Sequence, residues 1–432
     1  MKSHIIRIFG NCLLAFIIIS GLSCKKNYIN PSAATDQQVF SSPKGLTGVA
    51  TGLQRVYSAG RASSLYNLIT ADAFLTNQVV ILNQGNTSEY QLYLGGGSVD
   101  GTNTILGGLW TSSNKIIYDA NLVITNAENL ADKAYASGLI GYASIFKALA
   151  IGNMAMFWEK VPEGIGSNIN FVTRVDGFTQ AIATVDKALT SINAAAISAA
   201  FLSNIPAGID IVNTLNALKA RYLLFAGNFA QALTSANAVD LTKKSILNYD
   251  AINLNPFFET VTSTNNVYAI IDSVMGLPAS VQPNTADERV PFYISTNATA
   301  PRFRVKGFGG TTTAAFPIYL PGEMILIKAE SYARQNQLPQ AVIELNKILT
   351  KKPVNDPFGV GANLSPYAGP VTQADILLEI YRQRRIELFM SGLSLEDMRR
   401  FGRPNTERRR NFFPYPFRER DNNPNTPPDP TF

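Results

Sequence analysis

Histidine and cysteine are nearly missing from this 432-residue chain. There is one histidine, His4, and two cysteines, Cys12 and Cys24. All three lie in the first 24 residues, inside or at the edge of an apolar leader. Removal of residues 1–23 leaves 409 residues with no histidine and a single cysteine. Such a chain has no internal disulfide, even in an oxidising compartment. Histidine-based triads, histidine general bases and histidine metal ligands are excluded as well. No cofactor or metal is implied. Charge is also sparse, at 16% of residues, and the formal net charge of +6 falls to +4 once Lys2 and Arg7 are lost. That balance is too mild to argue for nucleic acid. Beyond the leader no apolar run of membrane-spanning length is expected, because a spanning helix needs about 20 such residues.

What is present begins with that leader. Lys2 and Arg7 give a positive start, residues 13–19 (LLAFIII) an apolar centre, and Gly21 and Ser23 small residues before the cysteine. These are the parts of an export signal over residues 1–23. Cutting before Cys24 places its thiol at the new N-terminus, as bacterial lipoprotein maturation requires, and Cys24 then becomes a lipid anchor. The segment resembles a lipobox, with Leu22 and Ser23 ahead of the cysteine and Gly21 in place of the usual leucine. The alternative is an ordinary secretory signal ending near a cysteine.

The body contains an internal echo. KARYLLFAGNFAQAL from Lys219 and KAESYARQNQLPQAV from Lys328 align without a gap. Lys219, Ala220, Gln231 and Ala232 meet Lys328, Ala329, Gln340 and Ala341. Each stretch reads as helix, turn at Gly227 or Asn336, and second helix, since glycine and asparagine tolerate the left-handed backbone that ends a helix. The alanines permit close approach of the two helices, and Leu218, Tyr222 and Phe225 form an apolar stripe at helical spacing. This is the pattern of tetratricopeptide-like helix pairs, which must stack on neighbours to bury their apolar faces. Further helices are expected over 109–130, 142–158 (ended by Pro162), 180–192 and 373–390. Between them, 85–108, 260–316 and 353–370 read as long loops, of the kind that carry function or lack order. The tail from Asn422 is proline-rich and reads as extended.

Taken in order, these features resemble the SusD/RagB family of outer-membrane nutrient-uptake lipoproteins. The matching residues are the lead Cys24, Lys25, Lys26 and Pro31, then Trp110 before Tyr118-Asp119-Ala120-Asn121. Phe157, Trp158, Val161 and Pro162 follow, then the C-terminal series Arg384, Arg385, Glu387, Leu388, Gly392, Asp397 and Arg400. Gln383, Ser391 and Ser394 depart from the family pattern. The resemblance implies a mainly α, SusD-like fold with tetratricopeptide-like pairs packed against a loop-rich region. It implies an N-terminal region, 24–215, and a C-terminal region, 216–432, in one body. It also implies a non-catalytic, lipid-anchored protein on the cell surface at the outer membrane. Such a protein captures a glycan or other nutrient and hands it to a TonB-dependent, SusC-like barrel; no nucleic acid is involved. Two other classes stay open: a tethered helical scaffold for another protein, and a carboxylate-based glycosidase using pairs drawn from Asp72, Glu89, Asp100, Asp287 and Glu288.

Residues 379–420 hold eleven arginines and six acids. The interleaving points to helix packing through ion pairs among Arg384, Glu387, Asp397 and Arg400 rather than to a nucleic-acid patch. In the family, ligand contacts come from loop-rich regions in the first third and past the middle, here 72–110 and 268–319. The first offers Asp72, Asn77, Tyr90, Tyr93 and Trp110; the second offers Tyr268, Tyr293, Arg302 and Phe308. A sugar needs flat aromatic faces edged by polar groups, which tyrosine supplies. The expectation is stacking by Tyr90, Tyr93 or Tyr293, with Asn77 and Arg302 as hydrogen-bonding edges. Trp110 opens an apolar helix and reads more readily as core, and Asp72 reads alternatively as a helix cap.

Overall fold

The computed structural model describes residues 36–432, so the leader, Cys24 and Pro31 lie outside the described residues. Residues up to Val39 form a separate unit, of which residues 36–39 are described, as part of a short helical turn at Asp36–Phe40. Residues Phe40–Phe432 form the second unit.

That unit opens with α1 (Pro43–Ser58), whose first turn is fixed by Ser42 accepting from the Gly45 amide and by proline at the first position. It continues with α2 (Ser64–Leu75), β1 (Val79–Ile81), α3 (Thr87–Leu94), α4 (Thr104–Ala127) and α5 (Lys133–Phe157). Next come α6 (Arg174–Ala194), α7 (Ile211–Phe225), α8 (Phe229–Asn237), α9 (Pro321–Arg334) and α10 (Leu338–Leu349), and then α11 (Gln373–Glu387) and α12 (Ser394–Arg400). From α4 to α11 each helix packs on the next, which is the stacking that helix pairs need. Position 215 lies inside α7.

The two echoed stretches are α7–α8 and α9–α10. Their turns fall at Gly227 (φ 81°) and Asn336 (φ 58°), and Ala220, Ala232, Ala329 and Ala341 are fully buried between helices. The pairs are far apart in sequence yet adjacent in space, with α8 against α9.

The expected helices are all present; three of the four start earlier than expected, because their caps lie upstream of the apolar runs, and α11 starts at Gln373 as expected. Asn103 accepts from the Ile105 and Leu106 amides to start α4, and Asp132 accepts from Tyr135 to start α5. Thr173 and Asp176 form a capping box on α6. α5 corrects one expectation: its 25 residues are long and apolar enough to cross a membrane by length and composition, but 94% of its most apolar window is buried in this unit. It is the central core helix. A side chain at Gly152 would sit 2.2 Å from the Tyr222 ring, so only glycine allows α7 to approach this closely. Each large apolar side chain enclosed around α5, such as Phe146 or Trp158, contributes about 1.5–3 kcal/mol by burial.

The stretches read as loops hold short elements. α3 lies within 85–108. Within 260–316, β2 (Tyr268–Ile270) pairs antiparallel with β1, Val79 opposite Ile270. In the same stretch β3 (Ile294–Thr296) and β4 (Phe303–Val305) form a hairpin whose β4 packs on β2. Thus the two regions expected to supply ligand contacts are joined through one small sheet.

The arginine-rich segment is largely an internal network. Arg384 bonds Asp397 at 2.8 Å, and Arg400 bonds Asp397 at 2.7 Å and Glu330 at 2.5 Å. Glu387 departs from the expected local pairing. It takes Arg289 at 3.0 Å and Lys351 at 2.5 Å, partners that no spacing within the motif reveals.

Candidate functional site

Where α2 ends, Asn77 adopts φ 60° and turns the chain into β1. After β1 the chain enters α3, whose Tyr90 and Tyr93 are three residues apart and therefore share a face. Their rings lie nearly parallel, 6.5 Å between centroids, and both are partly exposed. Tyr93 is braced from beneath by the edge of Phe74, and the Arg409 guanidinium sits 4.4 Å from its centroid. α3 stops at Gly95 (φ 70°), where any side chain would strike Arg409 at 2.5 Å. Gly95 therefore fixes the approach of Arg409 to the tyrosine pair.

Arg409 is held in turn by α2. Its backbone amide donates to the Leu75 carbonyl, and its Nε donates to the Phe74 carbonyl. Asn77 Nδ2 donates to the Glu407 carbonyl at 2.9 Å, pinning the same segment just after a short 3-10 turn. No carboxylate pairs with Arg409 among the described residues. Burial lowers its guanidinium from the ordinary value, and Tyr93 opposes that shift. Beyond the glycines, Phe432 lies over Gly96 and Gly97 with its ring 73% exposed, and the Arg410 guanidinium stands 5.4 Å from it. The result is a shallow surface of aromatic faces with a guanidinium at one edge. Cation–π contact and sugar-face stacking are the interactions it offers.

The remaining expected residues are elsewhere. Asp72 is fully buried in α2. Its carboxylate accepts from the Leu395 amide at 2.7 Å, the Ser394 amide at 3.3 Å and Gln78 Nε2 at 3.2 Å. It caps α12, a helix more than three hundred residues away in sequence, and burial raises its pKa to about 6. Trp110 is core, as its apolar helix suggested: it is 4% exposed, 4.8 Å from Trp158, and donates to Glu419 at 3.1 Å. Tyr293 is buried too. Its hydroxyl donates to the Glu387 carbonyl at 2.6 Å, and burial raises it well above the usual tyrosine range. The cavities beside its ring measure about 20 and 40 Å³, room for a water and not for a sugar. Tyr268 and Tyr319 are buried as well. Arg302 is exposed near the tip of the β3–β4 hairpin, over the Phe303 ring and away from the tyrosine pair. The structure thus unites Tyr90, Tyr93 and Asn77 through segment 407–409, and separates Asp72, Trp110, Tyr293 and Arg302 from them.

Arg409 and Phe432 are absent from the sequence expectation. Arg409 falls within the ion-pair reading of the arginine cluster; Arg385, Arg408, Arg410 and Arg418 likewise have no carboxylate partner among the described residues, and what sets Arg409 apart is its place over the Tyr93 ring. The candidate acids also have structural partners: Glu89 pairs with Arg61, Asp287 with Arg289, Glu288 accepts from Asn363 at 2.5 Å, and the exposed Asp100 accepts from the Thr102 amide in its own turn at 2.8 Å.

No family model and no curated protein matches the sequence. Solved structures do match over nearly the whole chain. A SusD superfamily protein from Bacteroides thetaiotaomicron superimposes with a TM-score of 0.69 at 14% identity, covering 90% of this chain and 100% of that one. A protein described as a putative sugar binding protein from Bacteroides vulgatus gives 0.68 at 14% identity, with coverages of 89% and 98%. A protein from the same species, described as a SusD-like carbohydrate binding protein, gives 0.65 at 16%, covering 84% of each chain. At such identities the likeness speaks to architecture, and the row of stacked helices joined to small loop-borne sheets is the SusD-like fold.

Proposed function

We propose that this protein is a carbohydrate-binding lipoprotein of the outer membrane, anchored through Cys24, that delivers its ligand to a TonB-dependent, SusC-like barrel. The observation that carries the reading is the pair of parallel, partly exposed tyrosines with an unpaired arginine at its edge, set on a SusD-like fold. Two structures of that fold are described as sugar or carbohydrate binding proteins, which supports a saccharide as the ligand class. Binding without catalysis is favoured because the candidate acids for a glycosidase pair are engaged in a cap, ion pairs, a side-chain hydrogen bond and, for Asp100, a local turn. In this reading Tyr90 and Tyr93 stack on the ring, Arg409 bonds hydroxyls, and Asn77 positions the 407–409 segment.

A glycan array on the purified protein, followed by calorimetry on the best hit, tests this. Aromatic stacking is worth about 0.5–1.5 kcal/mol per ring, so Tyr90→Ala and Tyr93→Ala should each weaken binding about 2- to 10-fold while the melting temperature stays nearly constant. Normal binding by both variants would move the site elsewhere. Mild-detergent pulldown from cells expressing a barrel from the same locus should recover that barrel in near-stoichiometric amount. Recovery of none, together with no glycan hit, would favour a protein-binding scaffold.

A further inference from the structure

Away from the tyrosine surface, α4, α5 and α6 enclose an open cleft of about 750 Å³, within the range of small-molecule sites. Its walls are single helical faces. α5 contributes Ile140, Ser144, Lys147, Ile151 and Met154 at alternating spacings of three and four, and α6 contributes Gln180, Thr184, Lys187 and Ser191. α4 adds Ile117 and Ile124 with Asn121 between them. Ile117, Ile124, Ile140, Ile151 and Met154 give the cleft an aliphatic strip among polar groups, and no aromatic side chain lines it. That separates this cleft from the tyrosine surface in kind as well as place.

Two cations face the cleft without partners. Neither Lys147 nor Lys187 has a hydrogen bond or ion pair among the described residues, although Asp186, beside Lys187, pairs with Lys219 at 2.6 Å. The cleft's two acids, Glu128 and Glu163, are exposed and pair with neither lysine. Lys147 is partly buried, and desolvation together with the charge of Lys187 lowers its pKa. A pair of like charges over an apolar strip is an unfavourable arrangement that an incoming anion relieves.

We propose that this cleft binds an aliphatic carboxylate, the head group on Lys147 and Lys187 and the chain on Ile117, Ile151 and Met154. The inference is independent of the sugar reading, since it uses none of the same residues.

Calorimetry of the exported chain with octanoate, 1-octanol and galacturonate tests each part. Octanoate should bind saturably with one site, and octanol about tenfold or more weaker, because it lacks the charge. Lys147→Met and Lys187→Met should each weaken octanoate about tenfold with unchanged melting temperature, and Lys147→Arg should retain binding. Tyr93→Ala should leave octanoate binding intact. Absence of saturable octanoate binding overturns the proposal. So does equal affinity for octanol, or insensitivity to both lysine changes, since either marks a merely apolar groove. Tighter binding of galacturonate than octanoate overturns the aliphatic assignment.

Discussion

Asp72→Asn separates a ligand residue from a structural cap, and its effect has a sign and a size. The Asp72 carboxyl is fully buried, and burial raises its pKa from 3.8 to about 6, against the opposing pull of the Leu395 and Ser394 amides, Arg385 and Gln78. Because the folded value lies above the unfolded one, the protonated form is favoured on folding. Its contribution to stability is fully present below about pH 3.8 and is lost as pH rises through about 6. A shift of roughly two units corresponds to about 3 kcal/mol, of which about half is lost between pH 5 and 8. Asparagine does not titrate, so the stability of Asp72→Asn relative to wild type should rise by about 1–2 kcal/mol from pH 5 to pH 8. The offset between the two proteins includes the cost of altered hydrogen bonds to α12, but the pH slope of their difference isolates this one carboxyl. Urea melts at four pH values measure that slope, with wild type and variant run side by side. Ligand affinity should be unchanged at every pH. A stability difference flat with pH would refute the raised carboxyl, and a variant that folds normally yet loses glycan binding would refute the assignment of Asp72 as the cap of α12.

Asp397→Ala leaves Arg384 and Arg400 buried without their shared carboxylate, and should cost about 3–5 kcal/mol in a urea melt. A loss below about 1 kcal/mol would place the pair in the class of exposed ion pairs instead. Burial acts against ionised Asp397, yet Arg384 and Arg400 outweigh it and hold its pKa below the ordinary aspartate value. Its stabilising contribution is therefore present above the unfolded pKa and is lost as pH falls through the lower folded one, opposite in sign to Asp72. Cys24→Ala should leave the protein exported but no longer membrane-associated, because the anchoring acyl chains supply about 0.8 kcal/mol per buried methylene. Fractionation in cells lacking the transporter checks this, and retention in the outer membrane would rule out the lipid anchor.

Local physics made the helical frame readable in advance. Gly227 and Asn336 signalled turns because a left-handed residue is a local requirement, and the buried alanines signalled close helix pairs because their spacing is local too. Helix starts were harder to place. Asn103 and Asp132 lie upstream of any apolar periodicity, so a reading led by hydrophobic pattern begins several residues too late. The adjacency of α8 and α9 was not legible at all, since some eighty residues of irregular chain separate them.

Site residues were legible only where function and local structure coincide. Tyr90 and Tyr93 stood out as aromatics beside a glycine run, yet their pairing depends on α3, and that stretch lacks the side-chain cap that announces a helix. Asp72 and Tyr293 failed for one shared reason: a polar group in a loop-flanked stretch looks the same in sequence whether its partner is solvent or a distant backbone. Asp72 meets α12, and Tyr293 meets the Glu387 carbonyl, both contacts closing only when the C-terminal motif folds back on the two loop regions. Arg409 shows the converse. Ten neighbouring arginines gave it a structural reading, whereas its lack of a carboxylate and its place over Tyr93 are properties of the fold alone. The C-terminal segment thus has two roles, locking the loop regions with its buried groups and presenting the Arg409 guanidinium to the tyrosine surface they form.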